Sequence, residues 1–200
     1  MSNHCSSVLL VGAGQLGSRY LQGLASVDRL LRITVIDSSP VSLDLARQRL
    51  GDLIKPFTHD IQFFTSLSEA PKQFDLVIIA VPSQCRPDLV AAITARCDVN
   101  AWVLEKLLAQ SIQHVDQIVQ SLNGYSQVWV NTPRRMIDWH KSIKKHLLVG
   151  GSDALRVRMT GGKWGLACNA IHFIDLVSWW TGSKVNVVDS RGLEGWHPSK

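Results

Sequence analysis

Three glycines near the start of the chain are spaced for binding a phosphate group. Residues 12–17 read GAGQLG, a GxGxxG pattern that lies between an apolar run, residues 8–11, and a segment with helical spacing. In this context Gly12 permits a tight turn, Gly14 leaves room for a pyrophosphate, and Gly17 lets the helix pack closely on the strand. Free N–H groups at the helix start would face the phosphates. The residues assigned to cofactor binding here are Gly12, Gly14, Gln15, Leu16 and Gly17.

An acidic residue follows at the distance that a dinucleotide site requires. Asp37 ends the second predicted strand, 20 residues beyond Gly17. Its carboxylate could accept a hydrogen bond from the ribose 2′-hydroxyl of NAD and would repel the 2′-phosphate of NADP. Ser38 follows, where an arginine or lysine would attract that phosphate. The pattern predicts NAD rather than NADP, with a non-binding glycine turn and the glycine loop of a methyltransferase as alternatives.

Two further strand ends bring residues to the same edge of the predicted sheet. A buried strand is predicted at residues 75–81, and ligands lie beyond the carboxyl ends of such strands. The residues expected to border the cofactor at this edge are Ala80, Val81 and Pro82, together with Glu105 and Lys106. Glu105 and Lys106 end the next strand, and the Lys106 amine could exchange a proton with a substrate hydroxyl if partial burial lowered its pKa. The alternative for this pair is a surface ion pair that flanks a helix.

Candidate substrate residues cluster in the last third of the chain. Asn169, His172 and Asp175 follow at intervals of three, so that neighbours in the series share a helical face. Histidine is the usual proton shuttle near neutral pH, although a lone histidine on an apolar helix is often a core residue. Eight Lys and Arg against two Asp lie within residues 134–163, which favours an anionic ligand or, alternatively, a solvated helix face. The substrate candidates are Asn131, Arg134, Arg135, Trp164, Asn169 and Asp175, and the catalytic candidates are Lys106 and His172.

Strand and helix patterns alternate through residues 1–131. Continuous apolar strands between amphipathic helices predict a doubly wound parallel α/β sheet. The serine cap and proline at residues 39–40 predict the start of one helix. The rhythm changes near Pro133, and we predict a second domain over residues 132–200. The elements predicted there are a basic helix at 135–147, a turn at 150–151, strands at 154–160 and 184–189, and a helix at 169–180.

The composition is typical of a globular cytoplasmic protein. Hydrophobic residues make up 46% and charged residues 18% of the chain, so that it can bury a core. The four cysteines form no CxxC pair and no metal-ligand spacing with histidine, which predicts neither a disulfide framework nor a metal site. The sequence has no basic, apolar secretory start and no apolar run long enough for a bilayer, so we expect no membrane partner. The basic residues lack interleaved aromatics, which argues against nucleic acid.

Taken in order, these segments resemble the Gfo/Idh/MocA family of NAD(P)-dependent sugar and polyol oxidoreductases. The resemblance runs over residues 8–182 and is carried by VGAGQLGSRYLQGL, DLVIIAVPS, VLEKLLAQS and NAIHFIDLVSWWTG. It implies that Lys106, the lysine of the family's Glu-Lys-Pro signature, lies by the nicotinamide, and that His172 assists proton transfer. Leu107 replaces the proline of that signature, and Cys168 stands where the family commonly has an aspartate.

The resemblance also implies a domain organisation. An NAD(P)-binding Rossmann domain, residues 1–131, would be followed by a truncated α+β substrate domain, residues 132–200, because family members continue into a large, mostly antiparallel sheet. Apolar surface left uncovered by a missing sheet, including faces of Trp179 and Trp180, would favour self-association. We therefore expect a homo-oligomer.

The predicted function is NAD-dependent hydride transfer on a small molecule. The resemblance implies a sugar, a sugar derivative or a polyol as substrate, including a nucleotide-linked or acidic sugar. Asn131, Arg134 and Arg135 would help to hold an anionic group of such a substrate. The alternative is a non-catalytic dinucleotide-binding module or redox sensor.

Overall fold

The computed structural model describes residues 5–53, 58–149, 155–160 and 165–192. The chain divides into two compact units, Met1–Asn131 and Thr132–Lys200. The first unit has alternating strands and helices, and the elements of the described part of the second unit are helices.

The first unit is built from parallel strands joined by helices. Its strands are β1 (Ser6–Val11), β2 (Leu31–Ile36), β3 (Asp60–Phe64), β4 (Gln73–Ile79), β5 (Asp98–Glu105) and β6 (Val128–Asn131). Its helices are α1 (Gln15–Ala25), α2 (Pro40–Gly51), α3 (Arg86–Arg96) and α4 (Ile112–Ser121), with a 3₁₀ turn at Leu67–Glu69. In the described residues the strands pair in parallel, in the order β3-β2-β1-β4-β5-β6. This confirms the predicted parallel α/β sheet.

Helices cover both faces of this sheet, which is why its central strands are continuous apolar runs. Successive residues of β1 point to opposite faces, and Leu9 and Leu10 are both fully buried. Leu9 belongs to a core that includes residues of α3 and α4, whereas Leu10 belongs to a core that includes residues of α1 and α2. The sheet is therefore doubly wound.

Local signals fix where the helices of the first unit begin. The Ser39 hydroxyl accepts a hydrogen bond from the backbone N–H of Ser42 at 3.3 Å, and Pro40 is the first residue of α2. The predicted start of this helix is confirmed. The strand predicted at residues 75–81 ends earlier, at Ile79, so that Ala80 begins the loop after β4.

The strand order places a topological switch point at one edge of the sheet. The chain runs from β1 outward to β2 and β3, and then crosses back to β4 on the other side of β1. Because the strands are parallel, their carboxyl ends share one edge, and the connections after β1 and β4 leave towards opposite faces. Ligands of open α/β sheets bind at such a switch point. Residues 12–17, 80–82 and 105–106 all lie in or next to the loops of this edge.

Two α-helices are described in the second unit. After a 3₁₀ turn at Pro133–Met136 come α5 (Asp138–Val149) and α6 (Leu166–Thr181). Trp180 of α6 is buried, and its indole N–H donates a hydrogen bond of 3.0 Å to the backbone carbonyl of His140 in α5. The two helices therefore pack against each other.

The start of the basic helix differs from the prediction. α5 begins at Asp138 rather than at residue 135, because Arg134 and Arg135 lie in the preceding 3₁₀ turn. Asp138 in the first helical turn is favoured by the helix dipole, which disfavours the two arginines at that end.

The two strands predicted in the second unit are wrong. Residues 155–160 and 184–189 have no strand structure. Alternation predicts which face a strand would bury, but a strand forms only where a neighbour takes up its backbone hydrogen bonds. Residue 154 and the turn predicted at 150–151 lie outside the described residues.

None of the helices in the described part of the chain has the length and apolar character that a membrane span requires.

Candidate functional site

The turn between β1 and α1 is closed tightly around two glycines. Gly12 has a φ of +98°, and a Cβ there would lie 2.8 Å from the carbonyl oxygen of Ala80. A Cβ on Gly17 would lie only 1.7 Å from the carbonyl oxygen of Gly12. These distances leave no space for a side chain, so the turn requires glycine at both positions. The roles predicted for Gly12 and Gly17, a tight turn and close helix packing, agree with this geometry.

Gly14 has the opposite surroundings. A Cβ at this position would meet nothing within 4 Å, and the neighbouring Gln15 and Leu16 are exposed. Gly14 is the N-cap residue of α1, and no side chain of the described residues caps that helix start. The first turn of α1 also has no acidic residue. Its first N–H groups and the positive end of its dipole are thus open to an anion, as a pyrophosphate requires.

Asp37 is anchored directly to the glycine turn. One carboxylate oxygen accepts the backbone N–H of Ala13 at 2.7 Å, and the other accepts the N–H of Ser39 at 2.9 Å. Each carboxylate oxygen can accept more than one hydrogen bond, so both remain able to receive a ribose hydroxyl. The sequence predicted the acid at this position, but not that it also fixes the turn.

The loop after β4 lies next to the glycine turn. The N–H of Ala80 donates to the carbonyl oxygen of Val11 at 2.8 Å, which continues the pairing of β1 and β4 past the end of β4. Ala80 and Val81 are half-buried and Pro82 is exposed. The structure therefore places these three predicted border residues at the edge that holds the turn.

A buried polar cluster underlies the end of β5. Glu105 is 5% exposed and accepts hydrogen bonds from the Tyr20 hydroxyl and, at 2.6 Å, from the Asn131 amide. The same amide donates to the Tyr20 oxygen at 2.5 Å. Burial, together with the hydrogen bond to Glu105 and its negative charge, raises the pKa of Tyr20 well above its ordinary value. Tyr20 therefore stays a neutral donor that holds Glu105.

The hydrogen bonds of Asn131 and Tyr20 were not expected from the sequence. Asn131 was expected to hold a substrate anion, whereas its amide is engaged by Glu105 and Tyr20 within the first unit. Tyr20 was not predicted to be a site residue. Its only sequence signal is its place three residues after Gly17, on the first turns of the helix that packs against the sheet.

Lys106 directly follows β5 and is half-buried. The Lys106–Leu107 peptide bond is cis. The carbonyl groups of Leu107 and Leu108 both accept hydrogen bonds from Arg86, which is 1% exposed. Arg86 could not be identified from the sequence, because an arginine at the first position of a helix is normally solvated. The backbone after Lys106 is thus fixed by a side chain from α3.

The charged residues predicted to bind substrate in the second unit contact other side chains of that unit. Arg135 donates two hydrogen bonds to the Asp175 carboxylate, one of them from Nε at 2.7 Å. The Arg134 guanidinium lies 4.4 Å from the ring centroid of Phe173. These side chains join the 3₁₀ turn to α6, so the structure gives them a role within the unit.

The remaining candidates of the second unit lie on α6 or outside the described residues. His172 is half-buried, and the Asn169 amide donates to the carbonyl oxygen of Gly165 at 3.3 Å. Trp164 lies outside the described residues. Within the described part of the chain, no group of three or more His, Cys, Asp or Glu residues could hold a metal ion.

The open turn at Gly14 and the anchored carboxylate of Asp37 place the first unit in a class, the dinucleotide-binding Rossmann domains. Residues 6–132 match the Gfo/Idh/MocA family, described as an oxidoreductase family with an NAD-binding Rossmann fold. The chain belongs to this family, which confirms the resemblance found in the sequence. No curated protein sequence matches the chain.

Solved structures of similar fold include inositol dehydrogenases. Apo scyllo-inositol dehydrogenase from Lactobacillus casei is 19% identical with a TM-score of 0.69, covering 91% of this chain and 56% of that chain. Myo-inositol 2-dehydrogenase from Lactobacillus plantarum is 19% identical with a TM-score of 0.65, covering 90% and 57%. An oxidoreductase from Agrobacterium radiobacter, solved with NAD+, L-tartaric acid and magnesium, is 17% identical with a TM-score of 0.67, covering 90% and 55%. The chain spans little more than half the length of these proteins, and at this identity they show a shared fold.

Proposed function

We propose that the protein binds NAD and acts as an oxidoreductase on a sugar, a sugar derivative or a polyol. The observation that carries this proposal is the open, uncapped start of α1 at Gly14, with Asp37 fixed beside it by the N–H of Ala13. This arrangement supplies N–H donors for a pyrophosphate and an acceptor for a ribose hydroxyl. Membership of an oxidoreductase family with an NAD-binding Rossmann fold supports the same conclusion.

We infer a preference for NAD over NADP from the charge of Asp37. A 2′-phosphate next to this carboxylate would meet a like charge and would remove a ribose hydrogen bond. The exposed Ser38 that follows carries no compensating positive charge.

In the proposed reaction, the chemistry that NAD supplies when bound is hydride transfer between its nicotinamide and a substrate carbon. Lys106, at the carboxyl end of β5, would take the proton from the reacting substrate hydroxyl or return it. His172 on α6 is proposed as a second proton-handling group, with Asn169 as a polar neighbour that donates hydrogen bonds.

We favour a neutral polyol over an acidic sugar. Arg135 is paired with Asp175, and Arg134 lies against Phe173, so these cations are already engaged in the second unit. Solved structures of Lactobacillus casei proteins with similar folds hold NAD(H) together with scyllo-inositol or myo-inositol. These observations support an inositol-like polyol as the first substrate class to test.

The test is NADH formation by the purified chain with a panel of inositols, neutral sugars and sugar acids. Lys106→Ala should lower kcat by about 10²- to 10⁴-fold, the usual contribution of a positioned base. Its NAD affinity should stay unchanged, because the glycine turn holds the cofactor. Lys72→Ala, on an exposed lysine before β4, is the matched control and should have no effect. Full activity of Lys106→Ala would overturn the assignment.

A second candidate function is a non-catalytic dinucleotide-binding module. The observation that favours it is the engagement of Asn131, Arg135 and Asp175 within their own units, which leaves few of the predicted substrate groups to a ligand. Calorimetry with NAD separates the two functions. Tight NAD binding without turnover of any polyol or sugar in the panel would support the module.

A further inference from the structure

Arg86 is a buried cation in a place that would normally exclude one. It is the first residue of α3, where the helix dipole disfavours positive charge, and only 1% of it is exposed. Burial lowers the pKa of its guanidinium, and the negative charge of Glu105 opposes that effect. Burying an arginine here is costly unless its donors find strong acceptors.

The acceptors are backbone carbonyls from two separate loops of the candidate site. One terminal nitrogen of Arg86 donates to the oxygens of Leu107 and Leu108, the latter at 2.7 Å. The other terminal nitrogen donates to the oxygen of Val81 at 2.8 Å. Val81 belongs to the loop after β4, and Leu107 directly follows Lys106. A single rigid, planar group therefore joins the ends of two adjacent strands.

We propose that Arg86 is the positioning residue for Lys106. By holding the carbonyls of Leu107 and Leu108 against the Val81 loop, it fixes the backbone from which the Lys106 side chain leaves. The planar guanidinium suits this role because its donors point in fixed directions. The inference rests on the proposed role of Lys106 as the proton-transfer group.

The same helix offers a matched control. Arg96, at the other end of α3, also donates three hydrogen bonds to backbone carbonyls, those of Leu67, Ser68 and Ala70, at 2.7–2.8 Å. Those carbonyls lie in the connection between β3 and β4, away from Lys106 in the chain. Arg86→Gln and Arg96→Gln therefore remove the same type of contact from two different loops.

The experiment follows Lys106 itself in the full chain. Lysines are reductively methylated with ¹³C, and the Lys106 resonance is assigned as the signal that Lys106→Arg removes. Arg86→Gln should shift this resonance towards those of the exposed lysines. Arg96→Gln should lower the stability of the chain but leave the Lys106 resonance where it is. An unchanged Lys106 signal in folded Arg86→Gln would overturn the proposal.

Amide hydrogen exchange measured by mass spectrometry gives a second readout. Peptides covering residues 104–110 should exchange roughly tenfold faster in Arg86→Gln, the effect of losing a charge-assisted hydrogen bond. Peptides covering residues 66–71 should respond only to Arg96→Gln. If Arg86→Gln does not fold, Arg86→Lys keeps the charge but not the planar fork and should show the same pattern. Equal exchange at 104–110 in wild type and folded Arg86→Lys would count against the proposal.

Adding NAD separates this inference from the proposed function. If NAD binds to the wild-type chain and leaves the Lys106 resonance unmoved, the assignment of Lys106 to the nicotinamide site fails. This outcome does not depend on the positioning role of Arg86. If NAD moves the resonance equally in wild type and Arg86→Gln, the proposed function stands and the positioning role of Arg86 fails.

Discussion

The two units use their polar side chains in different ways. In the first unit, the start of α1 at Gly14 is open and uncapped, and Asp37 keeps acceptor capacity beside it. In the second unit, Arg135 is paired with Asp175 and the Lys144 amine lies 4.2 Å from the ring centroid of Trp179. The first unit has a site arranged for a ligand, whereas these side chains of the second unit hold its own helices together.

This difference shows why charge alone is a poor guide to a binding site. The basic residues of 134–163 predicted an anionic ligand, yet the arginines in the turn before α5 have partners within the unit. The glycine turn has little charge of its own, but its backbone N–H groups are open at the uncapped start of α1. Substitutions at Gly14 and Asp37 should therefore change ligand affinity, and substitutions of Arg135 and Asp175 should change stability.

The largest effect is expected for Gly17→Ala. Its Cβ would lie 1.7 Å from the carbonyl oxygen of Gly12, a backbone atom that cannot move without opening the turn. The unfolding free energy should fall by about 3 kcal/mol or more, measured by urea denaturation. NAD binding should be lost with it. A variant with wild-type stability would show that the turn is looser than described.

Gly14→Val should separate binding from folding. A Cβ at Gly14 meets no protein atom within 4 Å, so the melting temperature should change little. The added side chain would occupy the space for the pyrophosphate, and NAD affinity should fall about a hundredfold or more, measured by calorimetry. Gly23→Val, at an equally open position in α1, is the control and should bind normally. Unchanged affinity in Gly14→Val would make the turn purely structural.

Asp37→Ala should reduce the preference for NAD over NADP about tenfold, because it removes a charged acceptor. The ratio of the two dissociation constants is the measurement. Because Asp37 also anchors Ala13 and Ser39, NAD affinity itself should fall. Tighter binding of NADP than NAD to the wild-type chain would contradict the role given to this carboxylate.

In the second unit, the Arg135–Asp175 pair should affect stability. Arg135 is partly exposed and Asp175 is mostly buried, so a double-mutant cycle should give a coupling of about 1 kcal/mol. The cycle uses Arg135→Gln, Asp175→Asn and the double variant, followed by urea denaturation. NAD affinity should stay the same in all three. If these substitutions changed ligand affinity and left stability unaltered, Arg135 and Asp175 would be binding residues instead.

The smallest effect is a pH dependence that comes from His140. This side chain is 2% exposed, and neither ring nitrogen has a hydrogen-bond partner among the described residues. Burial and the positive charge of Arg134 lower the pKa of His140. The unfolded chain therefore binds more protons below about pH 6.5, and stability should fall as the pH drops from there. His140→Phe should flatten this slope, whereas His146→Gln, on the exposed face of α5, should not.

The sequence predicted the features that depend on residues close together in the chain. The strands of the first unit and the start of α2 follow from apolar runs and from the Ser39–Pro40 signal, and the glycines follow from their spacing. Tyr20 and Arg86 could not be found in this way, because their partners lie 85 and 21 residues away in the chain. Residues 155–160 alternate between apolar and polar side chains as a strand does, but a pattern cannot reveal whether a neighbouring strand is present.

The position of β1 in the middle of the sheet has an evolutionary consequence. The switch point beside it arises from the order of the strands in the sheet, so no single substitution can remove it. Sequence can then diverge widely around a fixed location, as the TM-score of 0.69 at 19% identity illustrates. Such a scaffold lets selection change the loops at that edge while the strand order that defines it stays the same.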